Sequence, residues 1–434
     1  MSPLLHGDPA AWFAEVAATH ARCFWLDGGG ARDWSGSRSL VGALTDDDVS
    51  ITYDAACREV TRHVGGVSTV VASGDDADVF AVLEAEIAAG AEAGRHDQWF
   101  GYFGYACRPD LPARPDCAEG GAGLPDAIWM RPSLVREFVH DVTDPAAAAV
   151  TVPTAASDRD VPEEYADAFA RVAERLRAGD TYEANLTHRV STSSEVSPPE
   201  AYARLRALNP APYAGFLQHD VDGARGWLLS SSPERYALIT ADAGGRVIET
   251  KPIKGTTPRG ATPIADAEQK HLLATDPKFR AENLMIVDLL RNDLGAVCEV
   301  GSVEVPALMQ VESYASVHQL VSTVRGRLRE DLSTVGALRS LFPAGSMTGA
   351  PKLRTMQITD AVEATPRGVY AGAFGWISGD GRADLGVVIR SLVTTGDGTW
   401  TLGTGGGITV RSDVVEEWAE TAWKAERLLR VFDA

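Results

Sequence analysis

The sequence predicts an α+β fold, with long antiparallel strands and helices packed outside them. Three observations predict this fold: apolar and polar residues alternate in several stretches, other stretches repeat at helical spacing, and Gly or Pro separates them. After residue 160, the strand-like stretches lie at 181–190, 370–378, 385–393 and 400–402. Alternation within the first of these predicts a strand that is buried on one face only.

Helical stretches lie between and after these strands. Apolar residues recur at helical spacing over 165–176, and Gly179 follows where a C-terminal cap belongs. The stretch 280–295 is apolar almost all round, which predicts a buried helix. An amphipathic helix from about 415 to 432 closes the chain. The alternation of strands and helices supports the α+β class.

Composition divides the chain into two regions. Residues 1–158 form an N-terminal region of short strand-like and helical pieces, and they include most of a Pro- and Ala-rich stretch at 141–161 that is typical of a linker. Within this region, 108–126 is predicted to be a long surface loop. Residues 159–434 form the second region, which contains most of the chemically suggestive motifs.

Charge and cysteine content exclude several classes of protein. The 434 residues include 60 Asp and Glu against 40 Lys and Arg, so the net charge of −20 repels nucleic acid and anionic membranes. The start lacks a signal peptide and no later stretch is apolar enough to span a bilayer, so we expect a cytoplasmic protein. Buried thiols are expected, rather than disulfides or a zinc site, at the scattered cysteines Cys23, Cys57, Cys107, Cys117 and Cys298.

Lys254 lies in an unusual backbone context. The stretch IETKPIKGTTPRG, at 248–260, interrupts strand-forming residues with Pro and Gly, and Lys254 directly precedes Gly255. One interpretation is a solvated loop lysine. The other is a lysine that the bent strand presents to a pocket, where an ammonium or amine can act on a ligand.

A glycine run near the C terminus suggests close backbone approach to a ligand. In GTGGGIT, at 403–409, three consecutive glycines follow a strand, although each glycine costs stability there. Free N–H groups in such a segment can bind a carboxylate or a phosphate. A bulge or a tight turn is the structural alternative.

Three carboxylates could bind a metal ion. Glu417, Glu420 and Lys424 fall on one face of the closing helix, and the stretch predicted to be buried carries Glu282. If Glu282 meets Glu420, two oxygen ligands are available for Mg²⁺. The alternatives are solvated ion pairs on the closing helix and a structural pair between Glu282 and a neighbouring arginine.

Two further motifs can receive an anion. FPAGSMTGAPK, at 342–352, offers hydroxyl and N–H donors where a turn opens a helix, although it lacks the spacing of a nucleotide-binding phosphate loop. Arg390 lies in the apolar stretch VVIRS, where a lone guanidinium requires a carboxylate partner.

The chain resembles chorismate-utilising enzymes over nearly all of residues 160–434. The motifs that carry the resemblance occur in the family's order: PIKGTTPRG, AENLMIVDLLRNDLG, HQLVSTVRG, FPAGSMTGAPK, YAGAFGWIS, VVIRS, GGGIT and EEWAETAWKAERLL. GYFGYACRPDLP and LPDAIWMRPSLVREFVHD resemble more weakly the N-terminal region of the large subunits of anthranilate and aminodeoxychorismate synthases. The resemblance implies the fold of anthranilate synthase component I, a large, β-sandwich-like antiparallel core with helices outside.

Lys254 distinguishes between branches of this family. Anthranilate synthases typically carry Ala at this position, whereas aminodeoxychorismate synthase component I has Lys in a Pro-Ile-Lys-Gly-Thr context. Isochorismate and salicylate synthases usually place a general-base lysine where this chain has Glu183, and many relatives have Gln there, so the role of Glu183 stays open. The resemblance therefore implies amination of chorismate at C4 to 4-amino-4-deoxychorismate, a precursor of 4-aminobenzoate. Anthranilate synthase component I and a non-catalytic chorismate- or tryptophan-binding regulator are the alternatives.

The resemblance also implies roles for individual residues in catalysis. Lys254 would attack C2 of chorismate as the C4 hydroxyl leaves, and ammonia would then displace the lysine. Glu234 would act as acid and base for that hydroxyl. His318 matches a catalytic histidine associated with pyruvate elimination in anthranilate synthases, so its role in an enzyme that retains the enolpyruvyl group is open.

Metal and substrate binding follow from the same resemblance. Glu282 and Glu420, with Glu417 nearby, would hold Mg²⁺, which grips the ring carboxylate. Tyr370 and Arg390 would bind the enolpyruvyl carboxylate. The remaining substrate-binding residues would be Gly255, Thr256, Thr348, Gly405, Gly407 and Lys424.

A partner is expected to supply ammonia. None of the cysteines has the Gly-rich elbow context of a glutaminase nucleophile, so we expect a separate glutamine amidotransferase subunit. The sequence leaves open whether the product serves folate or antibiotic synthesis, whether tryptophan is bound structurally, and the oligomeric state.

Overall fold

The computed structural model describes residues 5–28, 37–116, 123–140, 160–314 and 317–433. Cys117 and all but the last two residues of the predicted linker lie outside these ranges. The helices are α1 (Ala10–Thr19), α2 (Val79–Glu92), α3 (Glu163–Arg177), α4 (Pro198–Leu208), α5 (Pro263–Thr275), α6 (Pro277–Val297), α7 (Thr334–Leu341), α8 (Lys352–Val362) and α9 (Val414–Leu429).

The strands are β1 (Leu5–His6), β2 (Arg22–Asp27), β3 (Arg38–Ala43), β4 (Val49–Asp54), β5 (Glu59–Val64), β6 (Val67–Ser73), β7 (Gln98–Phe103), β8 (Ala127–Arg131), β9 (Leu134–Val139), β10 (Glu183–Ser193), β11 (Tyr213–His219), β12 (Gly226–Ser232), β13 (Arg235–Asp242), β14 (Gly245–Lys251), β15 (Ile253–Pro258), β16 (Glu304–Ser313), β17 (Val317–Arg327), β18 (Gly349–Ala350), β19 (Ala373–Ser378), β20 (Ala383–Val387), β21 (Ser391–Thr394) and β22 (Thr399–Ile408).

These strands form two sheets. The first has the order β1-β9-β3-β2-β11-β12-β21-β22-β10-β18. The second has the order β15-β17-β14-β13-β20-β19-β7-β8-β4-β5-β6, with β16 also paired to β17. Neighbouring strands among the described residues are antiparallel except for β1 and β9. Each sheet contains strands from before residue 141 and from after residue 159, so the two sequence regions share both sheets.

The two sheets pack face to face with helices on the outside. Side chains from both sheets form a shared apolar layer, in which Phe24 of β2 stacks on Phe100 of β7 with 3.9 Å between ring centroids. Helices α1, α4 and α9 cover the outer face of the first sheet, and α2, α6 and α7 cover the second. The predicted α+β, β-sandwich-like fold with external helices is confirmed.

The predicted burial of two elements is wrong. Residues 183–187 at the start of β10 are buried on both faces. Helices α3 and α8 cover Ala184 and Leu186 on one face, and the side chains on the other face point into the interior of the protein. Helix α6 is not buried all round: Leu284 is 53% exposed, and the neighbouring polar positions Arg280 and Asp288 are also exposed. Periodicity identified both elements, but their burial depends on what packs against them.

Two predicted strands are shorter or broken, and one predicted thiol is exposed. The stretch 385–393 divides into β20 and β21, because Arg390 adopts a left-handed φ of 51° between them. The stretch 370–378 becomes a strand only at Ala373, after Ala371 with φ 66°. Cys57 is exposed, whereas Cys23, Cys107 and Cys298 are buried. Within the described residues, no helix is both long and apolar enough to cross a membrane.

Candidate active site

A cavity of about 210 Å³ lies where β15, β22, α6 and α9 converge. Twelve of the predicted site residues line it: Glu234, Lys254, Gly255, Thr256, Glu282, Tyr370, Arg390, Gly405, Gly407, Glu417, Glu420 and Lys424. In the sequence these residues lie in seven separate stretches. The fold therefore brings together residues that the chain keeps far apart, and the cavity is the candidate active site.

Lys254 projects from a bulge in β15. The pairing of β15 with β17 shifts in register between Ile253 and Thr256, and Gly255 within the bulge has φ +90°. A side chain at Gly255 would be strained by this φ and would press on Leu273 and Phe279, 3.0 Å from its Cβ. The Gly and Pro residues of this stretch therefore form the bend that presents the lysine.

Lys254 forms a buried ion pair with Glu183 of β10. The Lys254 Nζ donates to Glu183 Oε1, and the two side chains are 12% and 1% exposed. Burial alone would lower the pKa of Lys254, but the charges of Glu183, Glu282 and Glu234 outweigh it and raise the pKa above its ordinary value. The resting lysine is an ammonium, and the alternative of a solvated loop lysine is wrong.

Glu234 is a buried carboxyl group that accepts a hydrogen bond from the Ser346 Oγ. It lies between β12 and β13, directly before the buried Arg235. Burial raises the pKa of Glu234 to about 7, although Ser346 and Lys254 act in the opposite direction. A carboxyl group with this pKa can both donate and accept a proton near neutral pH.

Three further carboxylates surround the cavity from α6 and α9. The Glu282 Oε1 is buried and has no hydrogen-bond partner among the described residues, and burial raises the pKa of Glu282 to about 7. Glu417 accepts from the Ser412 Oγ at 2.7 Å and lies 3.6 Å from the Lys278 Nζ. Glu420 is paired with Lys424 at 2.7 Å, which lowers the pKa of Glu420.

The cavity also contains cationic groups that can receive an anion. The Arg390 guanidinium makes no hydrogen bond or ion pair within the part of the chain that the structure describes, and its contact is with the Trp423 ring, 5.8 Å from the centroid. Lys424 donates to the Gly405 carbonyl at 2.8 Å. An unpaired guanidinium facing a cavity favours a carboxylate ligand.

The glycine run is part of strand β22 rather than a turn. Residues 403–408 pair with β10, so the alternative of a turn or a bulge is not formed. A Cβ at Gly407 would lie 2.4 Å from the Glu183 Oε1 and 3.1 Å from the Lys254 Nζ. The missing side chain thus leaves room for the buried ion pair as well as for a ligand.

Two predicted site residues do not line the cavity. His318 is 1% exposed, and its ring nitrogens bond to the Ser313 Oγ at 2.8 Å and the Asp266 Oδ1 at 3.1 Å. Thr348 is fully buried and donates to the Gly345 carbonyl at 3.1 Å. Neither residue lines the cavity, because His318 bonds to β16 and α5 and Thr348 bonds within its own turn.

Sequence reasoning missed several lining residues. Ser346 lies in the Gly-rich turn at 342–352, and it is Ser346 rather than Thr348 that faces the cavity. Lys278 lies one helical turn before Glu282 on α6, a spacing that signals a shared face. Asn185 and Gln319 also line the cavity, and nothing in their local sequence distinguishes them.

The fold places a buried lysine, several carboxylates and an arginine around one cavity. The chain belongs to the chorismate binding enzyme family, whose model matches residues 22–430. The solved anthranilate synthase component I from Streptococcus pneumoniae is 25% identical, with a TM-score of 0.70 over 91% of this chain and 92% of that one. An isochorismate synthase from Bacillus anthracis, 16% identical with a TM-score of 0.70 over 98% and 99% of the two chains, shares the fold.

Curated relatives are similar over long stretches. The aminodeoxychorismate synthase of Streptomyces pristinaespiralis is 40% identical over 97% of this chain and 63% of its own length. That of Streptomyces griseus is 54% identical over 60% of this chain and 35% of its own length. The chain therefore spans less than two thirds of either relative.

Burial of Glu234 predicts a pH-dependent stability effect. The folded pKa of about 7 lies above the ordinary value of 4.5, so the stability that the protonated group contributes is present below pH 4.5 and is lost as pH rises through 7. Glu234→Gln should therefore raise the free energy of unfolding by about 1–3 kcal/mol at pH 8, with little difference from wild type below pH 4.5. Urea unfolding at both pH values measures this difference. Equal stability at pH 8 would contradict the burial of an ionisable carboxyl group at this position.

Proposed function

We propose that this protein aminates chorismate at C4 to give 4-amino-4-deoxychorismate, with Lys254 as a covalent nucleophile. The observation that carries the proposal is a buried lysine, held at the cavity by Glu183, in a chain of the chorismate binding enzyme family. The names of the two Streptomyces relatives support it. The product would serve the synthesis of 4-aminobenzoate, for folate or an antibiotic.

The cavity fits a substrate with two carboxylates. Arg390, whose guanidinium is unpaired among the described residues, would bind the enolpyruvyl carboxylate together with Tyr370. Lys424 and the backbone of β22 at Gly405 and Gly407 would contact the rest of the molecule. The negative charge of the whole chain makes this local positive charge necessary for an anionic substrate.

Two residues would perform the chemistry. The Lys254 amine attacks C2, both ring double bonds move to C1–C6 and C4–C5, and the C4 hydroxyl leaves as water with the Glu234 proton. Ammonia then attacks C4, both double bonds return to their original positions, and the bond between C2 and the lysine nitrogen breaks. Glu234, whose pKa is about 7, is protonated in a large fraction of molecules near neutral pH, as a general acid requires.

Mg²⁺ is the expected cofactor, and the donor set fits it. The Glu282 Oε1 is buried without a partner among the described residues, and Glu420 lines the same cavity, with Glu417 nearby. No group of three or more metal-ligating side chains is found in the described part of the chain, but Mg²⁺ usually takes one or two carboxylates and completes its shell with water and substrate. When bound, the metal would neutralise a substrate carboxylate.

Ammonia would come from a separate glutamine amidotransferase subunit. A relative from Klebsiella aerogenes, 41% identical over 67% of this chain and 63% of its own length, is named aminodeoxychorismate synthase component 1, which supports a division of the activity between components. With a high concentration of ammonium salt, the chain should act without that partner.

Anthranilate synthesis is the competing function. A Haloarcula marismortui relative named anthranilate synthase component 1 is 46% identical over 62% of this chain and 54% of its own length. His318, which matches the family histidine of pyruvate elimination, does not line the cavity. Its placement favours a product that retains the enolpyruvyl group.

Lys254→Ala should separate the two functions. Wild-type protein with chorismate, Mg²⁺ and ammonium should form aminodeoxychorismate, and the variant should lose this activity by about 100-fold or more, since a covalent route is removed. Product identity by mass spectrometry is the measurement, and Lys270→Ala on the exposed face of α5 is the matched control. Anthranilate as the main wild-type product, or full activity in the variant, would contradict the proposal.

Glu282→Gln and Glu420→Gln should each raise the Mg²⁺ concentration needed for half-maximal activity by about 10-fold or more, because a neutral amide is a weaker ligand for Mg²⁺ than a carboxylate. Mg²⁺-dependent thermal stabilisation should weaken in parallel. Glu416→Gln, at an exposed position on the same helix as Glu420, is the control. An unchanged Mg²⁺ requirement in both variants would assign these carboxylates a structural role.

A further inference from the structure

Glu183 holds the Lys254 ammonium, but its carboxylate takes part in no chemical step of the proposed function. We propose that Glu183 accepts a proton from the Lys254 ammonium to create the amine nucleophile, and returns that proton when Lys254 is released. This inference rests on the proposed function, because it concerns the lysine of that reaction.

The contact geometry gives the proton one direct acceptor. The Lys254 Nζ donates to the Glu183 Oε1, and within the described residues no other carboxylate forms a hydrogen bond or ion pair with this nitrogen. Glu183 is 1% exposed at its side chain, so bulk water does not compete for this contact. A proton on Nζ therefore has a direct path to Glu183.

The second oxygen of Glu183 shows that its carboxylate is incompletely stabilised. The Oε2 is buried and has no hydrogen-bond partner among the described residues. A buried carboxylate oxygen without a donor is costly, and protonation of the group removes its charge. A bound substrate excludes water and so raises the free energy of both charges of the ion pair. The free-energy difference between the ion pair and a neutral amine with a carboxylic acid becomes smaller as a result.

The other charged groups around Lys254 are less suited to this role. Glu234 lies after β12, and Glu282 and Lys278 face the cavity from α6. Glu234 and Glu282 act on Lys254 through their charge, without a hydrogen bond to the Nζ. Glu234 must also carry the proton that leaves with the C4 hydroxyl, so it cannot hold the lysine proton in the same step.

The proton balance closes over one cycle. The ion pair becomes amine and Glu183 acid, and Glu234 then supplies the proton with which the hydroxyl leaves as water. Attack of ammonia at C4 breaks the bond from C2 to the Lys254 nitrogen, which leaves as a neutral amine. Glu183 returns its proton to this amine, and Glu234 recovers a proton from the new ammonium at C4. The sum is chorismate plus ammonia giving aminodeoxychorismate plus water.

Glu183→Gln tests this role, because it keeps the shape and hydrogen-bonding capacity of the side chain but cannot accept the proton. Formation of the Lys254-bound species should slow by about 100-fold at pH 7 in a single-turnover rapid-quench experiment with chorismate and Mg²⁺. The rate should then rise with pH, since hydroxide replaces the lost acceptor. Glu183→Asp keeps a carboxylate and should retain an intermediate rate.

The controls separate this role from a structural one. Chorismate affinity of Glu183→Gln by titration calorimetry should stay close to wild type, and its Tm, which loss of one partner of a buried ion pair lowers, is measured to show that the variant is folded at the assay temperature. A Glu183→Gln rate equal to or faster than wild type, with the same pH profile, would overturn the inference while leaving the proposed function intact, because the carboxylate would then only hold the ammonium. A wild-type protein that makes no aminodeoxychorismate from ammonium would overturn both.

Discussion

The pairing of β10 with β22 is the interaction on which the site depends. Ten residue pairs, from Ala184 opposite Ile408 to Ser193 opposite Thr399, hold the glycine-bearing strand against the strand that begins at Glu183. Because Gly407 has no side chain, the Glu183 carboxylate and the Lys254 ammonium fit over it. A larger residue at this position would displace the ion pair, so backbone pairing and side-chain chemistry are fixed together.

Burial and charge act in opposite directions on the ionisable groups of the cavity. Burial raises the pKa values of Glu234 and Glu282 to about 7, whereas the surrounding carboxylates keep the pKa of Lys254 high. The cavity thus contains an ammonium beside carboxyl groups that exchange protons near neutral pH. This combination suits a reaction in which a hydroxyl leaves and an amine enters, because each step moves a proton.

Local patterns in the sequence predicted several helices and strands of the second region. Long-range packing explains where the structure differs from those predictions. The apolar residues at helical spacing over 165–176 lie in α3, and the predicted closing helix is α9. Both predictions are confirmed because each helix buries a single apolar stripe. The break at Arg390 could not be predicted, since no glycine or proline marks its left-handed backbone. The family resemblance identified 12 of the 25 residues that line the cavity. The contact between Lys254 and Glu183, which are 71 positions apart, required the structure.

The covalent role of Lys254 is the central claim, and its most direct test is the mass of the protein itself. Wild-type protein mixed with chorismate and Mg²⁺ without ammonia, quenched in acid and digested, should contain a peptide carrying Lys254 with an added mass of chorismate less one water. Addition of ammonium before the quench should remove that adduct. If active protein never carries an adduct at Lys254 under these conditions, ammonia reaches chorismate without a covalent lysine, and the buried ion pair is not the source of a nucleophile.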